Sequence, residues 1–128
     1  MKIPVRVYYQ DTDAGGVVFH AQYLAFMERA RSELLNAAGI DLARFAEQYR
    51  TLFMVHTIVV KYHLPARLNE LLSVGAEVVK MGRASLVFRH LVERGGELLV
   101  EAEVTLALVD RERMRPARMP VELEQALK

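Results

Sequence analysis

At 128 residues the chain has the length of one domain, with no room for a second. Its residues, 52% hydrophobic and 26% charged, suit an ordinary globular protein with a sizeable core, and a formal net charge of +1 excludes a global basic field for nucleic acid. Cysteine is absent, so disulfides, thiolate catalysis and sulfur-ligated zinc are excluded as well.

The opening Met1–Arg6 lacks the apolar centre and cleavage site of a secretory leader. No apolar run approaches the ~20 residues that span a bilayer, so the expectation is a cytoplasmic protein without a transmembrane segment. Residues 3–9 alternate as a strand, with Pro4 suited to its beginning or to a sheet edge. Residues 11–17, with Asp11, Thr12, Asp13, Gly15 and Gly16, carry turn chemistry. From about Ala21 to Ala38 the period becomes helical: Tyr23, Phe26, Met27, Ala30, Leu34 and Ala38 form one stripe, with Glu28, Arg31, Ser32 and Asn36 elsewhere. Gly39 stands where a left-handed residue ends a helix, and Asp41 can cap a short second helix to about Tyr49.

The remainder alternates as strand. Met54 to Leu64 forms one run, ended by Pro65; Leu72 to Val78 and Ser85 to Val92 form two more. Glu93–Glu97 is a hairpin turn by its paired glycines. Leu98 to Val109 is the cleanest strand, with Val100, Ala102, Val104, Leu106 and Leu108 on one face. A charged, proline-bearing loop, 110–120, precedes a short terminal helix. One long amphipathic helix and a mostly antiparallel sheet with one apolar face must cover each other, which gives an α+β architecture in a single domain, 1–128. Val55, Val59, Val79, Val87 and Leu91 make the second sheet face half apolar, so pairing between copies in a homo-oligomer is expected.

The order strand, paired acids, paired glycines, helix places a carboxylate in a tight turn aimed at a helix N-terminus that can hold developing negative charge. Acyl transfer is possible there without serine, cysteine or metal. Asp11-x-Asp13 also fits a phosphoryl-transferring aspartate, but that chemistry needs magnesium ligands and a larger parallel sheet. A calcium loop fails at Gly15 and Gln22, where oxygen ligands are required. The plainer alternative is turn and cap stabilisation, preferred for Asp11 and left open against a catalytic role for Asp13. Gly15-Gly16 matches no phosphate-cradling motif and instead lets a substrate approach the main chain. His20 can serve as base, ligand or helix-start residue. His56, His63 and His90 show no zinc spacing, and no G-x-S-x-G is present. Arg111, Arg113, Arg115 and Arg118, with Lys80 and Arg83, form either a solvated rim or an attachment for a phosphorylated carrier.

The run from Val7 through Tyr8-Tyr9-Gln10-Asp11-Thr12-Asp13-Ala14-Gly15-Gly16-Val17-Val18-Phe19-His20-Ala21-Gln22-Tyr23, continuing into Phe26-Met27-Glu28-Arg29-Ala30-Arg31, resembles the signature of hotdog-fold acyl-CoA thioesterases. It is most similar to the 4-hydroxybenzoyl-CoA thioesterase family, in the branch associated with the bacterial Tol–Pal system, and the likeness continues through Arg83–Phe88, Glu101–Val104 and Arg115–Pro120. The resemblance implies a hotdog fold, a long central helix wrapped by a five-stranded antiparallel sheet, in homodimers that associate as dimers of dimers. It implies hydrolysis of acyl-CoA, or of an acyl carrier protein thioester, with no cofactor or metal. By motif match the catalytic carboxylate falls on Asp13, and the backbone N–H that polarises the thioester carbonyl falls on His20. Gly15 and Gly16 border the substrate, and Arg83 and Arg118 meet coenzyme A phosphates; Tyr23, with Phe19 and Phe26, can contact an acyl chain, although helix core is the commoner fate of such a stripe. Gln10 and Tyr9 shape the acyl pocket or the subunit contact, and Phe19 stands where tyrosine or tryptophan is common. A non-catalytic acyl-thioester-binding protein on the same fold is the alternative, and thiol release separates the two.

Overall fold

The computed structural model describes residues 1–128. Its long helix, α1, runs from Gln22 to Ala37. Gly39 ends it at φ +83°, and the Ile40 N–H reaches back to the Leu35 carbonyl at 2.9 Å, which buries Ile40. Asp41 then accepts from the Ala43 and Arg44 N–H groups and starts α2, Leu42–Tyr49. A last short helix, α3, spans Val121–Ala126.

Six strands form one antiparallel sheet: β1 (Lys2–Arg6), β2 (Thr51–Tyr62), β3 (Leu71–Gly75), β4 (Glu77–Met81), β5 (Ser85–Arg94) and β6 (Glu97–Asp110). The order is β1-β3-β5-β6-β2, with β4 following β3 along the same side of β5. The β5–β6 hairpin turns through Gly95 and Gly96, both at positive φ. α1 lies against one face of this sheet. Its first half buries Tyr23, Phe26, Met27 and Ala30 against Val74, Val92 and Val100; its second half and α2 bury Leu35 and Phe45 with Phe88, Leu108 and Leu123.

Four local expectations are corrected. The first strand stops at Arg6 rather than Tyr9, because the Asp11 carboxylate accepts the Tyr8 N–H and draws Tyr9–Asp11 into a 3-10 turn. The sheet has six strands rather than five, because the run from Leu72 to Val78 breaks at Ala76. There the Ala76 N–H donates to the Met1 carbonyl at 2.9 Å, and the Gly75 carbonyl is taken by the His90 ring at 2.8 Å.

A bulge in β2 at His56 reverses the side-chain alternation: Val55 pairs with Leu106, and Thr57 with Thr105. Val55 therefore lies on the helix-side face, not the outer one. Finally, Arg31 points inward and is 8% exposed, donating to Nε2 of the fully buried His90 at 3.1 Å. Arg31 forms no ion pair, Glu28 acting on it only from a distance; the imidazole is its acceptor. Burial, ahead of the nearby Arg31 charge, pushes His90 down to about 4, so the ring is neutral, with Nδ1–H donating to Gly75.

Candidate active site

Residues 11–19 form a tight β-hairpin between the end of β1 and α1. The Phe19 N–H donates to Asp11 and the Asp13 N–H to Val17, each at 2.9 Å, with Thr12 facing Val18 between them. The turn closes through the Gly16 N–H on the Asp13 carbonyl at 3.2 Å, and Gly16 sits at φ +79°. Only glycine adopts that conformation without strain. The Val18 N–H donates to Ala66, fastening the hairpin to the loop after β2. Arg94 holds that loop in turn, through the Pro65 carbonyl and Glu70.

The two aspartates have different surroundings. Asp11 is buried, and both its oxygens are engaged, one by the Tyr8 N–H at 2.8 Å and one by the Gln22 side chain at 2.9 Å. It ties the 3-10 turn to the first residue of α1, which agrees with the stabilising role preferred for it from sequence. Asp13 is exposed; its Oδ1 accepts the Gly15 N–H at 2.8 Å, and Oδ2 has no partner in the chain. A β-carbon on Gly15 would stand 3.2 Å from that Oδ1, so glycine leaves the carboxylate its room.

α1 begins without a side-chain cap, its N-cap being Ala21. The His20 and Ala21 N–H groups find no acceptor in the protein, whereas the Gln22 N–H is satisfied by the Phe19 carbonyl at 2.8 Å. These two donors, on exposed residues, and the Tyr23 N–H, which also has no acceptor but belongs to a buried residue, stand at the positive end of a 16-residue helix, a place suited to negative charge. The His20 ring is exposed and packs on Phe19, their centroids 4.4 Å apart. From β2, the Tyr62 hydroxyl donates to the His20 carbonyl at 2.8 Å. Nothing in the sequence pattern marks that contact, which spans 42 positions.

The remaining expected site residues lie elsewhere. Tyr23 is 3% exposed, and its hydroxyl accepts the Ala66 N–H at 3.0 Å, so it lies in the core rather than on the substrate surface. Arg83 and Arg118 do come together, lining a cavity of about 340 Å³ with Met81, Met119 and Glu124. Met119 belongs to the core around the second half of α1, so this cradle lies at the far end of the helix from His20. Asp13 and His20 do not line this cavity. Beside them runs β2, an edge strand exposed along most of its length and bearing Met54, Val55, Ile58, Val59 and Tyr62 at the surface.

A long helix held by a curled antiparallel sheet, with an acid-bearing hairpin at its uncapped start, defines a hotdog-fold thioesterase architecture. The family model described as Thioesterase superfamily matches residues 15–105, and the chain belongs to that family. It is 42% identical over 123 residues to the acyl-CoA thioesterase YbgC of Haemophilus influenzae, across 96% of this chain and 90% of that one. It is 45% identical over 118 residues to the acyl-CoA thioester hydrolase YbgC of Escherichia coli, across 91% and 87%. A crystal structure of a probable thioesterase from Bartonella henselae superposes with a TM-score of 0.88 at 32% identity, across 94% and 98%.

Proposed function

We propose that this protein hydrolyses acyl-CoA thioesters to free acid and coenzyme A thiol, acting as a single hotdog domain over residues 1–128. The observation that carries the site assignment is the pairing of an acid with an unused oxygen, Asp13, and a helix start with unused donors at His20 and Ala21. The thioester oxygen accepts the His20 N–H, and charge building on it as the carbonyl becomes tetrahedral is met by that donor and the helix dipole. Asp13 Oδ2 supplies the second function. It either attacks the carbonyl carbon, giving a mixed anhydride that water then hydrolyses, or takes a proton from the attacking water. In both cases the C–S bond breaks and the thiolate leaves. Gly15 and Gly16 leave the main chain open to the approaching thioester.

One wall of such a site is missing in a single chain, where Asp13 faces solvent. The exposed apolar edge of β2, which touches the helix start through Tyr62, is the surface a second copy would cover. The active unit is accordingly a homodimer paired along β2, further assembled as a dimer of dimers. Arg83 and Arg118, remote from their own Asp13, take the coenzyme A phosphates of a site on a neighbouring copy. Tyr23 enters only as the floor beneath Tyr62. The reading includes a cytoplasmic location and the 4-hydroxybenzoyl-CoA thioesterase lineage, both as proposals; no helix is long and apolar enough to cross a membrane.

Thiol release across short-chain, long-chain and aromatic acyl-CoAs, with an acyl carrier protein thioester alongside, tests the activity and names the acyl group. Hydrolysis of at least one acyl-CoA is expected; binding without thiol release would leave the protein a non-catalytic acyl-thioester binder. After a single turnover in ¹⁸O-water, label in the Asp13 carboxylate identifies the anhydride route, because only water attack on the aspartyl carbon of the anhydride puts it there.

A further inference from the structure

The Tyr62 hydroxyl does more than close a gap at the sheet edge. The His20 carbonyl that accepts it, at 2.8 Å, belongs to the His20–Ala21 peptide, the unit that also presents the Ala21 N–H. Fixing that carbonyl fixes the direction of this N–H, next to the equally unengaged His20 N–H. A carbonyl that accepts a hydrogen bond also makes the N–H of its own peptide a stronger donor. The phenol is well braced for this task. Its ring meets Tyr23 edge-on with centroids 5.7 Å apart, and Tyr23 is itself anchored by the Ala66 N–H at 3.0 Å. Partial desolvation against the helix start raises the half-exposed Tyr62 hydroxyl above its ordinary value, so it stays protonated and donating at neutral pH. No side chain accepts from the N–H groups of this helix start.

We propose that Tyr62 is a positioning residue for the thioesterase reaction: its hydroxyl sets the His20–Ala21 peptide so that Ala21 supplies a second main-chain donor to the developing oxyanion beside His20. This rests on the assignment of Asp13 and His20 above. It makes the strength of the oxyanion site depend on the last residue of the edge strand.

Tyr62→Phe keeps the ring on Tyr23 and deletes only the hydroxyl. In the full-length protein it is expected to lower kcat about ten-fold, the scale of a weakened oxyanion donor, while KM stays within about two-fold and the urea midpoint is unchanged. Tyr62→Leu, which also removes the ring, should lose that same kcat factor and stability besides. A Tyr62→Phe enzyme with kcat within about two-fold of wild type overturns the proposal. So does a kcat loss that merely follows a loss of folded protein. Asp13→Asn assayed in parallel separates the layers. If it is inactive and Tyr62→Phe is fully active, only the Tyr62 assignment falls; if Asp13→Asn is itself fully active, the site falls and Tyr62 with it.

Discussion

Lowering the pH should destabilise this fold through one residue, His90. In the native state its Nδ1–H donates to Gly75 and its Nε2 accepts from Arg31, an arrangement open only to the neutral ring. Its value falls from 6.5 to about 4, burial being the larger cause and the Arg31 charge a further one. The unfolded chain therefore binds a proton that the folded one refuses between those two values. Stability from this group is complete above pH 6.5 and is lost as pH falls towards 4. A displacement of that size corresponds to about 3 kcal/mol, or roughly 2 M in urea midpoint for a chain of this length.

His90→Gln is the control, because an amide can accept from Arg31 and donate to Gly75 yet does not titrate. Urea unfolding from pH 7.5 to 4, at fixed protein concentration, should show the wild type losing about 3 kcal/mol more than His90→Gln. Carboxylates shared by both proteins cancel in the difference. Parallel curves for the two proteins would refute the reasoning.

Four further perturbations probe the hairpin and the sheet edge. Asp11→Ala leaves the Tyr8 N–H and the Gln22 amide without their buried acceptor and should cost about 2 kcal/mol by urea unfolding, with kcat falling as the hairpin loosens. The two glycines should separate geometry from stability. Gly16→Ala meets no neighbour within 4 Å but must adopt φ +79°, so about 1 kcal/mol of stability is lost. Gly15→Ala crowds Asp13 Oδ1 at 3.2 Å and should lower kcat roughly ten-fold or more with little change in unfolding. Ile58→Lys with Val59→Lys places charge on the exposed β2 edge; light scattering at micromolar concentration should show smaller particles, and thiol release should fall with them.

What could be read from the chain was local chemistry. Gly39 and Asp41 act on their immediate neighbours, and both helix boundaries follow from them. The hairpin at Gly95-Gly96 and the alternation of β6 are equally local. What escaped depends on partners distant in sequence. Arg31 looks like a solvated helix residue until His90, 59 positions on, supplies a buried acceptor. The strand break at Ala76 depends on the backbone of Met1, and the bulge at His56 adds one residue that no periodicity announces. At the site, the turn around Asp13 and the helix start at His20 were legible because hairpin and helix adjoin in sequence. The unlike surroundings of the two aspartates were only partly so, since the Gln22 amide that engages Asp11 lies 11 positions further along the chain. Tyr62 was invisible for the same reason as His90.

The rate of a single turnover with saturating acyl-CoA, compared between wild type and Asp13→Asn, probes the proposed chemistry most directly. The substitution keeps the side-chain oxygen that accepts the Gly15 N–H and removes only the charge and basicity. A loss of at least about a hundred-fold, with the urea midpoint unchanged, is the outcome predicted for a carboxylate acting on the carbonyl or its water. An Asp13→Asn enzyme that turns over at a rate close to wild type would contradict it.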